Sequence, residues 1–247
     1  MHLKKFMWPL ALVASLLPNK VSGQTIFQGL RGPTNFQLDE RLSFSNNEQG
    51  TNALTNNLIL KYWDGSKFGK FGFVSIPYRF IDSPNGSNNG IGDISIGIGP
   101  RSSIKNLNLI SYFSLTFPTG ETNDIAIGNG RVDRKVGIAA TYLFHNRNAE
   151  LTTLLEYNDT GRNLDRINPP NEVSMGFVAG YKMGRIRTAT GLVDLVKGNG
   201  DFLLNLRNGV RYTLSPRLHF ELYGDLSIKS KTVPRNKGVS AFVRYNY

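Results

Sequence analysis

The sequence predicts an all-β fold, namely a transmembrane antiparallel β-barrel of about 12 strands in up-and-down (meander) order. Three observations predict it. Apolar and polar residues alternate through many short segments, long connections alternate with short ones, and the chain stops on an aromatic residue, Tyr247. Period-two alternation gives each strand one apolar and one polar face. A soluble sandwich shares that alternation, so the rest of the chain decides between the two folds.

Composition narrows the class of protein. The chain has 247 residues, 26 glycines, three histidines and no cysteine, which excludes a disulfide framework and a thiolate metal site. The mean hydropathy is −0.26, and no internal run approaches the roughly 18 apolar residues that a spanning helix needs. Abundant glycine and an aromatic share of 11% fit a β protein with many turns.

The N-terminus has the features of a secretory signal. Lys4 and Lys5 precede a short apolar run, and Val21, Ser22 and Gly23 offer small residues for cleavage. We predict a signal peptide at residues 1–23 and an outer-membrane barrel domain at residues 24–247. A membrane anchor is the alternative interpretation, which the shortness of the apolar run disfavours.

The first six alternating segments run to the middle of the chain. They are predicted at residues 34–47, 52–63, 71–81, 94–101, 108–117 and 131–144. In each, one parity is dominated by aliphatic and aromatic residues and the other by polar residues and glycine. For example, Val74, Ile76 and Phe80 share one face of the third segment, whereas Ser75 and Arg79 share the other.

Six further segments follow in the second half. They are predicted at residues 150–158, 172–182, 185–196, 202–214, 217–228 and 239–247. The parity blurs around Gly191, which indicates a β-bulge there. The total is even, and each segment has the length that a tilted span requires.

The connections favour a membrane barrel over a sandwich. Longer connections are predicted at residues 82–89, 119–130, 159–171 and 229–237, and shorter ones at 102–106, 145–148, 183–184 and 215–216. The turn between Trp63 and Phe71 is longer than its class predicts. Outer-membrane barrels have long outer loops and short periplasmic turns, so we expect the long connections outside. The final strand, ending at Tyr247, resembles the signal that barrel-insertion machinery reads.

The predicted lumen is rich in basic residues. The parity of the strands places these charged side chains on the inner face, as a candidate solute path: Arg41, Lys61, Arg79, Arg101, Lys135, Arg207, Arg211, Arg217, Glu221 and Arg244. Rings of arginine and lysine favour anions in a pore. The alternative is that these charges pair across strands and brace the barrel. The net charge of +11 also suits nucleic acid, but a signal peptide and inward charges argue against that partner.

Catalytic and cofactor chemistry finds little support. An outer-membrane phospholipase needs a serine–histidine pair, yet His219 is the only strand histidine, and its parity places it with Glu221 and Asp225 in a lumenal cluster. The histidines and acids have no metal-ligand spacing. The glycines at residues 90–99 lack a following helix, so they do not form a phosphate loop. We therefore predict no catalytic residue, metal or cofactor.

Three motifs carry a resemblance to a known family: GIGDISIGIGPR, SLTFPTGE and IGNGRVDRKVGIAATYLF. They resemble the outer-membrane family labelled "putative meta-pathway of phenol degradation", a MetA-pathway, transporter-like family. The family's glycine, aspartate and proline–threonine–glycine positions correspond here to Gly90, Gly92, Asp93, Pro118, Thr119, Gly120, Gly128, Gly130 and Asp133. The resemblance implies a barrel and transport, and it names no substrate.

Together these features predict an outer-membrane channel of a Gram-negative cell for passive uptake of small solutes, aromatic or anionic. Its expected partners are outer-membrane lipid, the insertion machinery and the solute. The rival function is a non-conducting structural or adhesion barrel, with a plugged lumen and functional outer loops at residues 159–171.

Overall fold

The computed structural model describes residues 36–47, 49–122, 126–144, 148–161 and 170–247. The predicted signal peptide at residues 1–23 lies outside the described residues. Within the described ranges, no helix is long and apolar enough to cross a membrane.

The described chain is built of thirteen strands. They are β1 (Phe36–Asn47), β2 (Asn52–Trp63), β3 (Phe68–Ser83), β4 (Gly86–Ile91), β5 (Ile94–Ile104), β6 (Leu107–Phe117), β7 (Asp133–Leu143), β8 (Ala149–Asp159), β9 (Glu172–Met183), β10 (Ile186–Lys197), β11 (Phe202–Thr213), β12 (Leu218–Lys231) and β13 (Asn236–Asn246).

The strands form one closed antiparallel barrel. Apart from β4, each strand pairs with the next wall strand in chain order, β3 pairs with β5, and β1 pairs with the last strand, β13. Because β4 pairs only with β3, twelve strands form the wall. The predicted 12-strand antiparallel meander is therefore confirmed. Closure leaves no long unpaired edge, as lipid requires of a spanning sheet.

The two faces of the wall follow the predicted parity. Leu58 and Leu60 on β2 point outward and are about half exposed, whereas Ala53, Ile59 and Trp63 on the same strand are buried inside. The barrel thus turns an apolar surface outward and a largely polar one inward. That is the arrangement of a barrel in lipid.

Aromatic side chains encircle the end of the barrel where β1 begins and β13 ends. Phe36 and Tyr62 pack with ring centroids 5.2 Å apart, and Tyr142 with Phe144 at 5.2 Å. Exposed aromatics at this end include Phe36, Tyr62, Phe68, Tyr142, Phe144, Tyr181, Tyr212 and Tyr247. Aromatic girdles of this kind mark the membrane–water interface of spanning barrels.

The connections at this end are the short ones. They include the turns at residues 105–106, 184–185 and 214–217, as predicted. The predicted turn at residues 145–148 lies mostly outside the described residues. The longer connections, between β6 and β7 and between β8 and β9, lie at the opposite end, together with short ones between β1 and β2, between β10 and β11 and between β12 and β13. The predicted long connection at residues 229–237 is wrong in its bounds, because β12 continues to Lys231 and β13 begins at Asn236.

The predicted outer loop at residues 82–89 is wrong in its details. β3 continues to Ser83, and β4 pairs back onto it from Tyr78↔Ile91 to Ser83↔Gly86, so a hairpin stands there. Nearer the start of β3, its partner is β5 instead of β4, with pairs from Ser75↔Ser95 to Phe68↔Ser102. This pairing is shifted by one residue relative to that of the hairpin. At the shift, the Gly92 amide donates to the Pro77 carbonyl at 2.7 Å. Pro77 has no N–H, so it cannot donate a hydrogen bond to the neighbouring strand in return.

Two other sequence expectations are corrected. The register of β10 runs without a shift through Gly191, which faces Arg207 and Val178, so the expected bulge there is wrong. The irregularity lies between β11 and β12 instead, where Leu204 pairs with Lys229 and Asn205 with Ser227, so that Ile228 on β12 is the extra residue. The long turn after Trp63 is also shorter than expected, because β3 begins at Phe68.

Glycines on the inner wall of β5 and β7 make room for aromatic rings. A Cβ on Gly97 would lie within 2.2 Å of the Phe73 ring, and one on Gly137 within 2.5 Å of the Tyr112 ring. Phe73 and Tyr112 meet edge to face at 5.9 Å and pack on the buried cluster formed by Trp63, Phe71 and Ile110. One side of the interior is therefore aromatic.

Gly99 tests how closely β5 and β6 approach each other. A Cβ at this position would lie 1.9 Å from the Ser111 carbonyl oxygen and 2.6 Å from the Tyr112 Cα. We expect Gly99→Ala to destabilise the folded barrel by about 1–3 kcal/mol, because backbone must move to admit the methyl group. Urea titration of the refolded protein measures this. The matched control is Gly224→Ala, whose Cβ would meet nothing closer than 4.0 Å, and an equal loss in both variants would contradict the prediction.

Candidate functional site

The charged interior is centred on the strands that close the barrel. Asp39 on β1 lies directly opposite Arg244 on β13, whose guanidinium donates to both carboxylate oxygens at 2.8 and 3.2 Å. Lys61 on β2 donates to the same carboxylate at 2.7 Å, and Gln37 does so at 2.6 Å. Asp39 is completely buried, and two cations from the adjacent strands compensate its charge there.

The ion pairs continue from β13 onto β12 and β11. Arg244 also contacts Glu221 at 2.8 Å, and Arg211 reaches the same Glu221 oxygen at 2.5 Å. The Tyr223 hydroxyl donates to the other Glu221 oxygen. Lys61, Asp39, Arg244, Glu221 and Arg211 therefore form one chain of alternating charges across five strands, which we call the seam ladder.

A second level of charge lies further along the same strands. Arg207 on β11 and Asp225 on β12 are directly opposite each other and form a buried ion pair. Arg41 on β1 lies over the Phe242 ring, with its guanidinium carbon 5.0 Å from the centroid, and donates to the Ser240 hydroxyl at 3.2 Å. Among the described residues, no carboxylate forms an ion pair with Arg41.

A third cross-strand pair depends on a glycine. Glu150 on β8 and Arg187 on β10 meet at 2.5 Å, although β9 lies between them. Gly180 on β9 pairs with both neighbouring strands at this level, and a Cβ there would lie 3.0 Å from the Glu150 side chain. Absence of a side chain at Gly180 thus lets the carboxylate cross the intervening strand.

The predicted solute-path residues fall into three groups. Lys61, Arg207, Arg211, Glu221 and Arg244 form ion pairs inside the barrel, and Lys135 lies at the outer limit, 4.0 Å from Glu156. Arg41, Arg79 and Arg101 face inward and donate to uncharged oxygen atoms. Arg217 lies exposed in the turn between β11 and β12 and is not part of the wall.

The motif residues of β5 and the β6–β7 connection come together at the long-loop end of the barrel. Asp93 is buried and accepts the Gly120 amide at 3.1 Å and the Asn129 amide at 2.5 Å. The Thr119 hydroxyl donates to the Gly92 carbonyl at 2.8 Å and accepts the Ile94 amide at 3.0 Å. One carboxylate therefore joins both limbs of the connection, an arrangement that we call the Asp93 latch.

Glycine is required where the two limbs touch. A Cβ on Gly120 would lie 2.7 Å from the Gly128 backbone, and one on Gly128 would lie 2.3 Å from the Asp93 carboxylate. Between the limbs, Ile127 is completely buried, and Arg79 on β3 donates to its carbonyl at 2.8 Å. The latch thus folds the β6–β7 connection against the inner wall.

A second carboxylate joins this connection to the next one. The Asp133 carboxylate, at the start of β7, accepts hydrogen bonds from the Arg131 guanidinium at 2.7 Å and from the Asn129 side chain at 3.4 Å. It also accepts the amide of Gly161, in the β8–β9 connection, at 3.1 Å. The described parts of both long connections are therefore attached to the wall through Asp93 and Asp133.

Comparison with known proteins assigns the chain to a family. The model of the family described as "Putative MetA-pathway of phenol degradation" matches residues 18–245, which is most of the chain. The protein belongs to this family. The match confirms the resemblance carried by the three motifs, which contribute Asp93, Gly120 and Asn129 to the Asp93 latch. No curated protein sequence matches the chain.

Solved structures agree on the fold of this family member. An outer membrane channel from Pseudomonas putida F1 is 13% identical, with a TM-score of 0.77 over 92% of this chain and 100% of that one. The β domain of the Bordetella autotransporter BrkA is 10% identical, with a TM-score of 0.58 over 87% and 100%. The KdgM porin is 9% identical, with a TM-score of 0.52 over 85% and 99%. At these identities the likeness shows an outer-membrane type of barrel and nothing finer.

Sequence reasoning missed some residues of the site. Phe242 packs against Arg41, and Glu150 pairs with Arg187. The sequence pattern singled out neither Phe242 nor Glu150. Phe242 has the parity of Ser240 and Arg244, so an aromatic residue on the polar face was the available signal. Glu150 opens its strand, where parity is hardest to assign.

The seam ladder predicts a large effect for Asp39. Asp39→Ala leaves Lys61 and Arg244 without their shared carboxylate. We expect the free energy of unfolding to fall by an amount on the order of 3 kcal/mol, as when one partner of a buried ion pair is removed. The control is Glu172→Gln, which breaks the more exposed pair with Lys197 at 3.9 Å and should cost less than about 1 kcal/mol. Urea titration in detergent micelles compares the two, and similar losses would show that the ladder does not stabilise the barrel.

The Asp93 latch predicts a change in protease sensitivity. Asp93→Ala removes the acceptor that holds both limbs, so we expect faster trypsin cleavage after Arg131, with the barrel intact. Asp93→Asn retains one acceptor oxygen and should be intermediate. The control Asp82→Ala alters an exposed carboxylate on the neighbouring hairpin. Peptide mapping by mass spectrometry gives the cleavage rates, and unchanged cleavage in Asp93→Ala would contradict the latch.

Proposed function

We propose that the protein is an outer-membrane channel through which small solutes diffuse. The observation that carries this proposal is the pairing of an apolar outer face with a charged, hydrogen-bonded interior in a single closed barrel. A polar interior has no advantage for a sheet packed on a soluble core, whereas it suits an aqueous path. Membership of a family labelled for phenol degradation is consistent with the uptake of a small solute.

The proposed location is the outer membrane, reached through a cleaved signal peptide at residues 1–23. The aromatic girdle at the end where β1 begins and β13 ends supports this location, and the C-terminal strand supports insertion by the barrel machinery. Tyr245 and Tyr247 pack at 4.8 Å, and the Tyr247 amide donates to the Phe36 carbonyl at 3.0 Å. The final residue is thus joined to the first strand of the wall.

The proposed path is narrow and prefers anions. The seam ladder itself keeps one unit of positive charge, because its three cations face only two carboxylates, Asp39 and Glu221. Arg41 and Arg79 face inward, and no described carboxylate forms an ion pair with either of them. Charges near a narrow aqueous path are poorly screened and bias which ion enters. Phe73 and Tyr112, which are only partly buried against the Trp63 cluster, supply a surface on which a flat solute packs.

A non-conducting barrel is the second candidate, and one observation favours it. Asp39, Arg207, Glu221 and Arg244 are each no more than 4% exposed, so long side chains fill the interior beside the seam. A barrel braced in this way can support functional loops without passing solutes. Conductance distinguishes the two functions directly.

Single-channel recording in planar bilayers tests the proposal through Arg41. We expect the wild type to conduct and to prefer chloride over potassium, and Arg41→Gln to lower that preference by roughly twofold or more. The matched control is the double variant Arg207→Gln with Asp225→Asn, which removes one cation and one anion at a similar depth. Because the net charge of the control is unchanged, its selectivity should match the wild type.

Each other result has a definite meaning. Cation selectivity in the wild type, or an unchanged preference in Arg41→Gln, would overturn the proposed role of the arginines. Absence of any conductance from folded, inserted protein would favour the non-conducting barrel.

A further inference from the structure

One acidic side chain lies on the wrong face of the barrel for a protein surrounded by lipid. The outward residues of β1 are Phe36, Leu38, Glu40, Leu42 and Phe44, and Glu40 is exposed among them. Its one hydrogen bond among the described residues comes from the Asn56 side chain on β2, at 3.2 Å. We call these two residues the outer polar pair.

The outer polar pair lies near the middle of the apolar band. Glu40 is midway between Phe36, which belongs to the aromatic girdle, and Phe44. At about 3.4 Å per residue and a strand tilt of about 40°, these two phenylalanines are roughly 20 Å apart across the membrane. Leu58 and Val243 lie directly opposite Glu40 on the two adjacent strands, so apolar neighbours flank it on both sides.

Other polar groups on the outer face have an evident explanation. Thr190 and Asn208 are uncharged and hydrogen-bond each other at 2.6 Å. Arg134 pairs with Asp159 at 3.9 Å, and both lie at the loop end of their strands. Asp194 also lies toward the loop end of its strand, since β10 ends at Lys197. Glu40 differs because it is acidic, central and held by a single amide.

Lipid cannot satisfy such a group. A carboxyl has about four acceptor positions, and one is used here. Hydrocarbon offers no donor for the rest, and an unsatisfied polar group there costs several kcal/mol. The simplest relief is a protein surface that covers this part of the wall and brings a hydrogen-bond donor at the same depth.

We propose that β1 and β2 form the interface of a homodimer in the membrane. This inference rests on the membrane location proposed above. A two-fold axis along the membrane normal places Glu40 and Asn56 of both copies at one depth, so each Asn56 can offer its second N–H to the Glu40 of the partner copy. Leu42 and Leu58 border the polar pair and supply the apolar contact. Self-complementarity favours a second copy over an unrelated partner.

Cysteine cross-linking in native outer membranes tests the interface, and the chain itself contains no cysteine. Leu42→Cys and Leu58→Cys are the test variants. Leu155→Cys is the matched control, since Leu155 is similarly exposed but lies on β8, on the opposite wall. With a short thiol cross-linker, we expect a species of twice the monomer mass from both test variants and at most a tenth as much from Leu155→Cys.

A second variant separates the interface from folding. Glu40→Leu in the Leu42→Cys background removes the polar pair, and we expect dimer yield to fall roughly tenfold. The monomer should keep or gain stability towards urea, because an isolated barrel is relieved of a polar group in lipid. Loss of stability in Glu40→Leu would mean that Glu40 braces the monomer, and would overturn the proposal.

The remaining outcomes are also decisive. Equal cross-linking at all three positions would indicate random collision, and no cross-linking at Leu42 and Leu58 would indicate a monomer; both overturn the dimer. A product of another mass would identify a different protein as the partner. Recovery of folded protein outside the outer membrane fraction would instead refute the proposed location, which the fractionation reports before any cross-linking.

Discussion

The contact between Asp39 and Arg244 is the interaction on which the rest of the barrel depends. These residues belong to the first and last strands, so their pairing coincides with closure of the sheet. A wall of twelve strands removes its edges only when β1 finds β13 in the correct register. A fully buried carboxylate that receives Arg244 from one side and Lys61 from the other strongly disfavours a shifted register, because a one-residue slip would turn each of these charges toward lipid.

From that seam, the interior divides into two chemically distinct sides. Strands β11 to β2 contribute the seam ladder and the Arg207–Asp225 pair, whereas β3, β5 and β6 contribute Phe73, Tyr112 and their aromatic neighbours. Glycines permit both arrangements. Gly97 and Gly137 receive rings, and Gly180 lets Glu150 reach Arg187. The high glycine content thus serves the packing of large side chains inside a barrel as much as it serves the turns.

The sequence predicts the wall of this barrel well, because a period of two is a local property. Parity assigned nearly every inward residue correctly, including Arg41, Lys61 and Arg244. Pairing is a different matter, since it depends on the register between strands that are remote in sequence. That Arg207 meets Asp225, whereas Arg41 stacks on Phe242, follows from register and not from parity. The β4 hairpin was missed for a related reason: the register of β3 shifts by one residue near Pro77 and Gly92, and asparagine and glycine at residues 85–90 are typical of a loop. Gly191 shows the converse, because glycine at an inward position is compatible with an undisturbed strand.

The attachment of two connections to one carboxylate has a consequence for how this family can diversify. Outer loops are normally the segments in which barrel proteins vary independently. Here the Asp133 carboxylate accepts hydrogen bonds from both the β6–β7 and the β8–β9 connections, and the Asp93 carboxylate accepts them from both limbs of the β6–β7 connection. A recombinant that exchanges one connection for that of a distant relative would leave the buried Asp133 carboxylate without one or two of its three donors. Exchange of the two connections together with β7 keeps the donors and acceptors matched, so these three elements should be inherited as a block.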